Sequence, residues 1–270
     1  MKVVGIIPAR YASTRFPGKP LAVITGKTMI RRVYEQALKS RLDGVVVATD
    51  DVRIADEVMS FGGQYVLTDP NHRSGTDRCR EALDLLDDAF DAVVNIQGDE
   101  PFIDPNQINL VADLICRGDT QLASLAKRIR LEDELFSPNT VKVVMNNEGK
   151  ALYFSRQPIP FMRNVDAPEW LEKGVFYKHI GIYAYKAEAL RKVAQMSMSA
   201  LEKSESLEQL RWLENGLEIR MGITDTENVS IDTPSDLQKA ESFLTSSMLN
   251  RVELNSSMQL MSGADTPHSI

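Results

Sequence analysis

Apolar runs of strand length recur through the first half of the chain, each closed by a turn and followed by a stretch of helical spacing. Val3 to Ile7, Val45 to Ala48, Tyr65 to Leu67 and Asp91 to Ile96 are such runs. Between them, Met29, Ile30, Val33, Ala37 and Leu38 fall near helical spacing within Thr28 to Leu38. Asp50 and Asp51 begin a helix through Phe61 that Gly62-Gly63 stops, and Ser74-Gly75-Thr76-Asp77 caps another running to about Asp88. Pro105 opens a further helix that ends around Arg117-Gly118. Short, largely apolar runs suit strands buried on both faces. Repeated strand–helix–strand units then predict a mostly parallel sheet covered by helices.

The pattern changes between about 120 and 186. Leu122 to Arg128, Val141 to Met145, Ala151 to Ser155 and His179 to Tyr185 read as strands without long helices between them. An antiparallel or mixed addition to the sheet follows, with an irregular excursion from Gln157 to Tyr177. Helices resume at Ala187 to Gln195, Ser204 to Glu214 and Pro234 to Phe243, with a short strand from Ile219 to Ile223. Residues 1–245 therefore read as one α/β domain and 246–270 as a disordered tail.

With 270 residues, 43% of them hydrophobic, such a domain needs neither disulfides nor metals for stability. A formal net charge of −7 argues against a nucleic-acid coat or an anionic membrane surface, while leaving an anionic small substrate open. Cys79 and Cys116 lie outside any CxxC spacing and read as reduced thiols. No run is long enough for a membrane span, and the apolar run after Lys2 is too short for a signal core, so the expected location is cytoplasmic.

The first strand ends at Pro8, and the loop beyond it carries Arg10, Arg15 and Lys19 among small residues and prolines. Cations at the carboxyl end of a first strand suit a polyanion such as a phosphate chain, because open α/β sheets bind ligands there. Thr25-Gly26-Lys27-Thr28 imitates the end of a P-loop, but Leu21 stands where that motif needs a glycine. In Asn95-Ile96-Gln97-Gly98-Asp99-Glu100-Pro101, Asp99 stands just past a buried strand, placed for a hard cation such as Mg²⁺ or simply for a turn. Asp232, in Ser230-Ile231-Asp232-Thr233-Pro234, is a second candidate that helix N-capping contests. The two carboxylates act together only if the fold brings both loops over one sheet edge. Arg156, His179, Glu208 and Gln209 gathered around one cavity would suit a hydroxylated carboxylic acid.

Together these segments resemble the 3-deoxy-manno-octulosonate cytidylyltransferases, or CMP-Kdo synthetases. The resemblance runs from about Lys2 to Phe243. It rests on Ile7-Pro8-Ala9-Arg10 with Arg15-Phe16-Pro17-Gly18-Lys19-Pro20-Leu21, on Ala48-Thr49-Asp50-Asp51, and on Ser74-Gly75-Thr76-Asp77-Arg78. Gln97-Gly98-Asp99-Glu100-Pro101, Leu152-Tyr153-Phe154-Ser155-Arg156, His179-Ile180-Gly181-Ile182-Tyr183, Leu207-Glu208-Gln209-Leu210-Arg211 and Asp232-Thr233-Pro234 follow in the family's order. Ser230-Ile231 departs from the usual Gly-Val before the second aspartate.

The resemblance implies a Rossmann-like nucleotidyltransferase fold of the nucleotide-diphospho-sugar transferase type, usually homodimeric, with the excursion helping form the dimer contact. It assigns Arg10, Arg15 and Lys19 to the phosphates of CTP, with Lys19 also catalytic, and Arg78 and Gln97 to the cytosine or its ribose. Asp99 and Asp232 would hold Mg²⁺, while Arg156, His179, Tyr183, Tyr185, Glu208 and Gln209 would surround the acidic eight-carbon sugar. The implied reaction is CTP + Kdo → CMP-Kdo + diphosphate, supplying lipopolysaccharide synthesis. Three rivals stay open: CMP activation of a related acid sugar (8-amino-Kdo or a sialic acid), a glycosyltransferase with a similar nucleotide domain, and a non-catalytic nucleotide-binding regulator.

Overall fold

The structure, a computed structural model, describes residues 1–12, 16–227 and 230–238. Its strands are β1 (Val3–Ala9), β2 (Val23–Ile24), β3 (Lys27–Thr28), β4 (Gly44–Thr49), β5 (Tyr65–Leu67), β6 (Ala92–Asn95), β7 (Leu122–Arg128), β8 (Lys142–Met145), β9 (Ala151–Ser155), β10 (Tyr177–Lys186) and β11 (Ile219–Ile223). The α-helices are α1 (Met29–Ala37), α2 (Val52–Ser60), α3 (Gly75–Leu85), α4 (Pro105–Ile115), α5 (Glu132–Phe136), α6 (Trp170–Lys173), α7 (Ala187–Ala194), α8 (Ala200–Glu205) and α9 (Glu208–Glu214).

Side chains that compete with water for orphan backbone groups set many of these boundaries. Asp51, Ser74 and Asp104 accept from the N–H groups of Arg53, Asp77 and Asn106 and so start α2, α3 and α4. The helix expected over Ser204 to Glu214 is two helices instead. Ser206 adopts the left-handed conformation (φ 53°, ψ 48°) and separates α8 from α9. The carbonyls freed there accept from the Arg156 guanidinium, which is what the break provides. The P-loop look-alike is a hairpin turn: Thr25 and Gly26, at φ 42° and 81°, join β2 to β3 as a two-residue loop.

Nine strands share one sheet among the described residues, with a main path in the order β11-β7-β10-β6-β1-β4-β5. Pairings β1–β4, β1–β6, β4–β5 and β7–β11 are parallel, and β10 inserts antiparallel between β6 and β7. The β8–β9 hairpin adds antiparallel to the early part of β10. Each strand feeds both faces, so Ile7, Val47 and Val94 join one core cluster and Ile6, Val46 and Val93 the other. α1, α2 and α4 cover the first face, and α3, α7 and α9 the second. Within the excursion, Trp170 stacks on Phe176 with ring centroids 5.9 Å apart, beside Ile129 and Leu135.

This topology fixes where ligands can sit. The chain winds outward from β1 to β4 and β5, then returns to lay β6 on the other side of β1. That makes the carboxyl edge between β1 and β6 a topological switch point, the crevice such sheets use for binding. Gly98 crosses over it so closely that a Cβ would lie 2.9 Å from the Pro8 carbonyl oxygen. The expected tail from 246 and the end of the last helix, 239–243, lie outside the described residues.

Candidate active site

Above this switch point is a cavity of about 260 Å³, lined among others by Arg10, Lys19, Arg78, Gln97, Asp99 and Asp232. Lys19 stands on a single helical turn whose start needs Gly18 at φ 71°. Its Nζ donates to Asp99 Oδ2 at 2.7 Å and to Asp232 Oδ1 at 3.3 Å. The two carboxylates expected to act as a pair are therefore joined through one ammonium group.

The strap that carries Asp232 is held independently. The Ile231 N–H donates to the Asp99 carbonyl at 2.9 Å. Ile231 itself is fully buried beside Ile24 and Met29, an anchor worth about 2 kcal/mol by the usual value for a buried aliphatic side chain. The contest over Asp232 is settled one residue later. Thr233 Oγ1 accepts from the Asp236 N–H at 3.3 Å, and Asp236 Oδ2 accepts from the Thr233 N–H at 3.0 Å, a reciprocal cap. Capping thus falls to Thr233, and the Asp232 carboxylate faces Lys19.

The two carboxylates lie within reach of solvent. Among the described residues, no group of three or more His, Cys, Asp or Glu is arranged to hold a metal. Two carboxylates, both hard oxygen donors, fit a cation that takes its remaining ligands from water and phosphate, as Mg²⁺ does.

Arg10 is exposed at the cavity mouth. Arg15 lies outside the described residues. Arg78 is buried in the cavity wall, where its Nη2 bonds Asp50 Oδ2 at 2.8 Å and its Nη1 bonds Thr68. Gln97 donates from Nε2 to the Gly181 carbonyl at 3.0 Å. That bond ties the cavity to β10, whose antiparallel course brings residues 179–183 to the same edge.

None of the remaining sequence candidates lines that cavity; His179, Tyr183, Tyr185 and Glu208 come together beside it, and Arg156 is held by other partners. His179 stands edge-on to Phe154 (centroids 5.1 Å) and tilted to Tyr183 (5.2 Å), while Tyr183 and Tyr185 both meet Trp212. His179 Nε2 faces Ser124 Oγ at 2.9 Å, and removal from water pushes its pKa down to about 3, so the ring is neutral. Burial, then the Glu208 charge, pushes the Tyr183 and Tyr185 hydroxyls well above the ordinary value. The Tyr185 hydroxyl lies beside Thr76 but outside hydrogen-bond geometry.

Glu208 accepts from Thr76 Oγ1 at 2.9 Å and from Arg211. Burial raises its pKa against the pull of those two partners. Gln209 is buried on α9. Arg156, half-buried, is held by carbonyls on either side of Ser206.

Some participants were not read from the sequence. Asp50 is the partner of Arg78 rather than a helix start, and Asp51 alone caps α2. His72, Arg73 and Ser74 line the cavity. Their adjacency to the capping pattern of α3 was the available signal. Ser124, Glu205 and Trp212 offered none, because each reads locally as an ordinary strand or helix residue.

A family model described as cytidylyltransferase matches residues 4–219. The chain is 56% identical over 248 residues to a 3-deoxy-manno-octulosonate cytidylyltransferase of Parabacteroides distasonis, covering 90% of this chain and 98% of that one. It is 49% identical over 251 residues to one of Thermodesulfovibrio yellowstonii, with the same coverage of 90% and 98%. Among solved structures it is similar to a CMP:2-keto-3-deoxy-manno-octonic acid synthetase complexed with CTP. There the TM-score is 0.85 and the identity 41%, over 92% of this chain and 100% of that one.

Proposed function

The chain belongs to the 3-deoxy-manno-octulosonate cytidylyltransferase family, and from that premise we infer that it transfers CMP from CTP to 3-deoxy-D-manno-octulosonate (Kdo). The anomeric hydroxyl oxygen bonds to the α-phosphorus, the bond to the leaving diphosphate breaks in line, and the hydroxyl proton passes to solvent. The observation that carries the reading is the convergence of Asp99 and Asp232 on Lys19 at the switch-point crevice.

In this reading Lys19, with Arg10 and Arg15 from the same loop, neutralises the triphosphate and the charge that builds on diphosphate. Asp99 and Asp232 would hold Mg²⁺, which when bound would acidify the attacking hydroxyl and polarise the α-phosphate. Gln97 stands at the nucleotide wall. Arg78, committed to Asp50, shapes that wall more than it reaches into the cavity. Arg156 would take the sugar carboxylate, while His179, Tyr183, Tyr185, Glu208 and Gln209 would order its hydroxyls. Positioning two reactants in this way removes much of the entropic barrier.

The product, CMP-Kdo, suits lipopolysaccharide synthesis in the cytoplasm. Among the described residues no helix is long and apolar enough to cross a membrane. A homodimer is part of the reading, supported by exposed apolar side chains on the excursion, Phe161 and Val175.

Diphosphate release with Mg²⁺ tests the assignment across CTP and other nucleotides, each with Kdo, 8-amino-Kdo, a sialic acid or no sugar. CTP with Kdo is expected to be fastest. Faster turnover with another acid sugar would move the substrate, and CTP binding without release under any sugar would leave only a nucleotide-binding regulator.

A further inference from the structure

A fully buried lysine lies just behind Arg156 and has no part in the reaction as written. Lys142, in β8, donates from Nζ to the carbonyls of Ser137 (2.8 Å), Thr140 (2.6 Å) and Arg156 (2.6 Å). All three ammonium donors are spent on backbone. Opposite it, Glu205 at the end of α8 accepts from Ser155 Oγ at 2.7 Å and from the Arg156 N–H at 2.9 Å. Both backbone hydrogen-bonding groups of Arg156 are thus fixed, its N–H by Glu205 and its carbonyl by Lys142.

Three carbonyls then aim the guanidinium. Nε donates to Glu205 (2.7 Å), Nη1 to Pro138 (2.9 Å) and Nη2 to Ser206 (3.4 Å). A guanidinium has five N–H groups, so one remains on each terminal nitrogen, the pair that a carboxylate takes in a two-point clasp.

We infer that Lys142 and Glu205 are positioning residues for Arg156, locking its backbone so that the two unspent N–H groups meet the carboxylate of the acid sugar. The inference rests on the reading of Arg156 as the carboxylate anchor. Burying an ammonium is costly, and an apolar side chain would fill the β8 position at less expense. The lysine is explained by the need to hold the Arg156 carbonyl against the turns at 137–140. A carboxylate clasp tolerates little displacement, since misplacing a bound group by about 1 Å can cost a hundredfold in rate.

Steady-state kinetics and thermal melts of Lys142→Met, Glu205→Gln, Arg156→Ala and the Lys142→Met/Arg156→Ala double variant test this. Lys142→Met and Glu205→Gln should each raise KM for Kdo about tenfold, the usual weight of a charge-assisted contact, with KM for CTP within about twofold. In the Arg156→Ala background, Lys142→Met should add nothing, because it acts through the missing side chain. Melting lowered without a change in KM for Kdo, KM for both substrates rising in step, multiplying effects in the double variant, or an unaltered KM for Kdo in Arg156→Ala would each overturn the inference. Glu205→Gln, which keeps the side-chain size, decides the matter if Lys142→Met does not fold. A wild-type chain without Kdo-dependent diphosphate release fails the transferase reading itself, and this inference with it.

Discussion

Lys19 on its helical turn and Asp99 and Asp232 on loops, at the end proposed for the nucleotide, keep 16, 27 and 38% of their side-chain surface in solvent. At the end proposed for the sugar, His179 and Tyr183 stand on β10 and Glu208, 27% of its side chain exposed, on α9, where burial moves all three pKa values toward the uncharged forms. The contrast assigns different physics to each end. Charges on turns and loops can regroup around a cation and a polyphosphate, and their work is electrostatic. Hydrogen-bonding groups held on a strand and a helix suit the discrimination of hydroxyls, because a mismatched partner leaves a polar group unpaired.

The largest expected effect breaks the nucleotide end alone. Asp99→Asn should leave melting within a few degrees while lowering kcat about a thousandfold, the scale of losing several kcal/mol of charge stabilisation. Near wild-type turnover at saturating Mg²⁺ would remove Asp99 from the chemistry. A smaller effect should separate the two ends. Glu208→Gln is expected to raise KM for Kdo about tenfold with little change for CTP, since a charged acceptor becomes a neutral one.

The wild-type enzyme should also show KM for Kdo rising as pH falls through the raised Glu208 pKa, a limb the glutamine variant lacks. Equal changes for both substrates would mean that Glu208 supports the whole site. The last effect concerns stability. His179 has a folded pKa of about 3 against an ordinary 6.5, so between those values only the unfolded chain takes up its proton. Stability is therefore lost as pH falls from 6.5 toward 3. His179→Gln should flatten that slope in melts across the window, and an unchanged slope would show that the ring is better solvated than its surroundings suggest.

The parallel half was legible because buried strands, caps and turn glycines are local signals, and β1, β4, β5 and β6 follow the expected runs within a residue or two. The Asp99 loop was legible for the same reason. Asp232 was ambiguous because the chain offers two neighbouring capping residues, and only the Thr233–Asp236 exchange distinguishes them. The break at Ser206 is not legible, since nothing in the sequence announces that its own carbonyl and that of Glu205 are claimed by Arg156. The Thr25-Gly26 hairpin carries little sequence signal because its strands are two residues each. What the sequence hid was long-range pairing, such as Asp50 with Arg78 and Ser124 with His179.

The bond from the Ile231 N–H to the Asp99 carbonyl joins a loop near the middle of the chain to a strap near the end of its described residues. A chain cut off before residue 230 would keep the sheet edge and the Asp99 loop and lose the strap that carries Asp232. In the proposed reading such a fragment would hold its nucleotide without spending it.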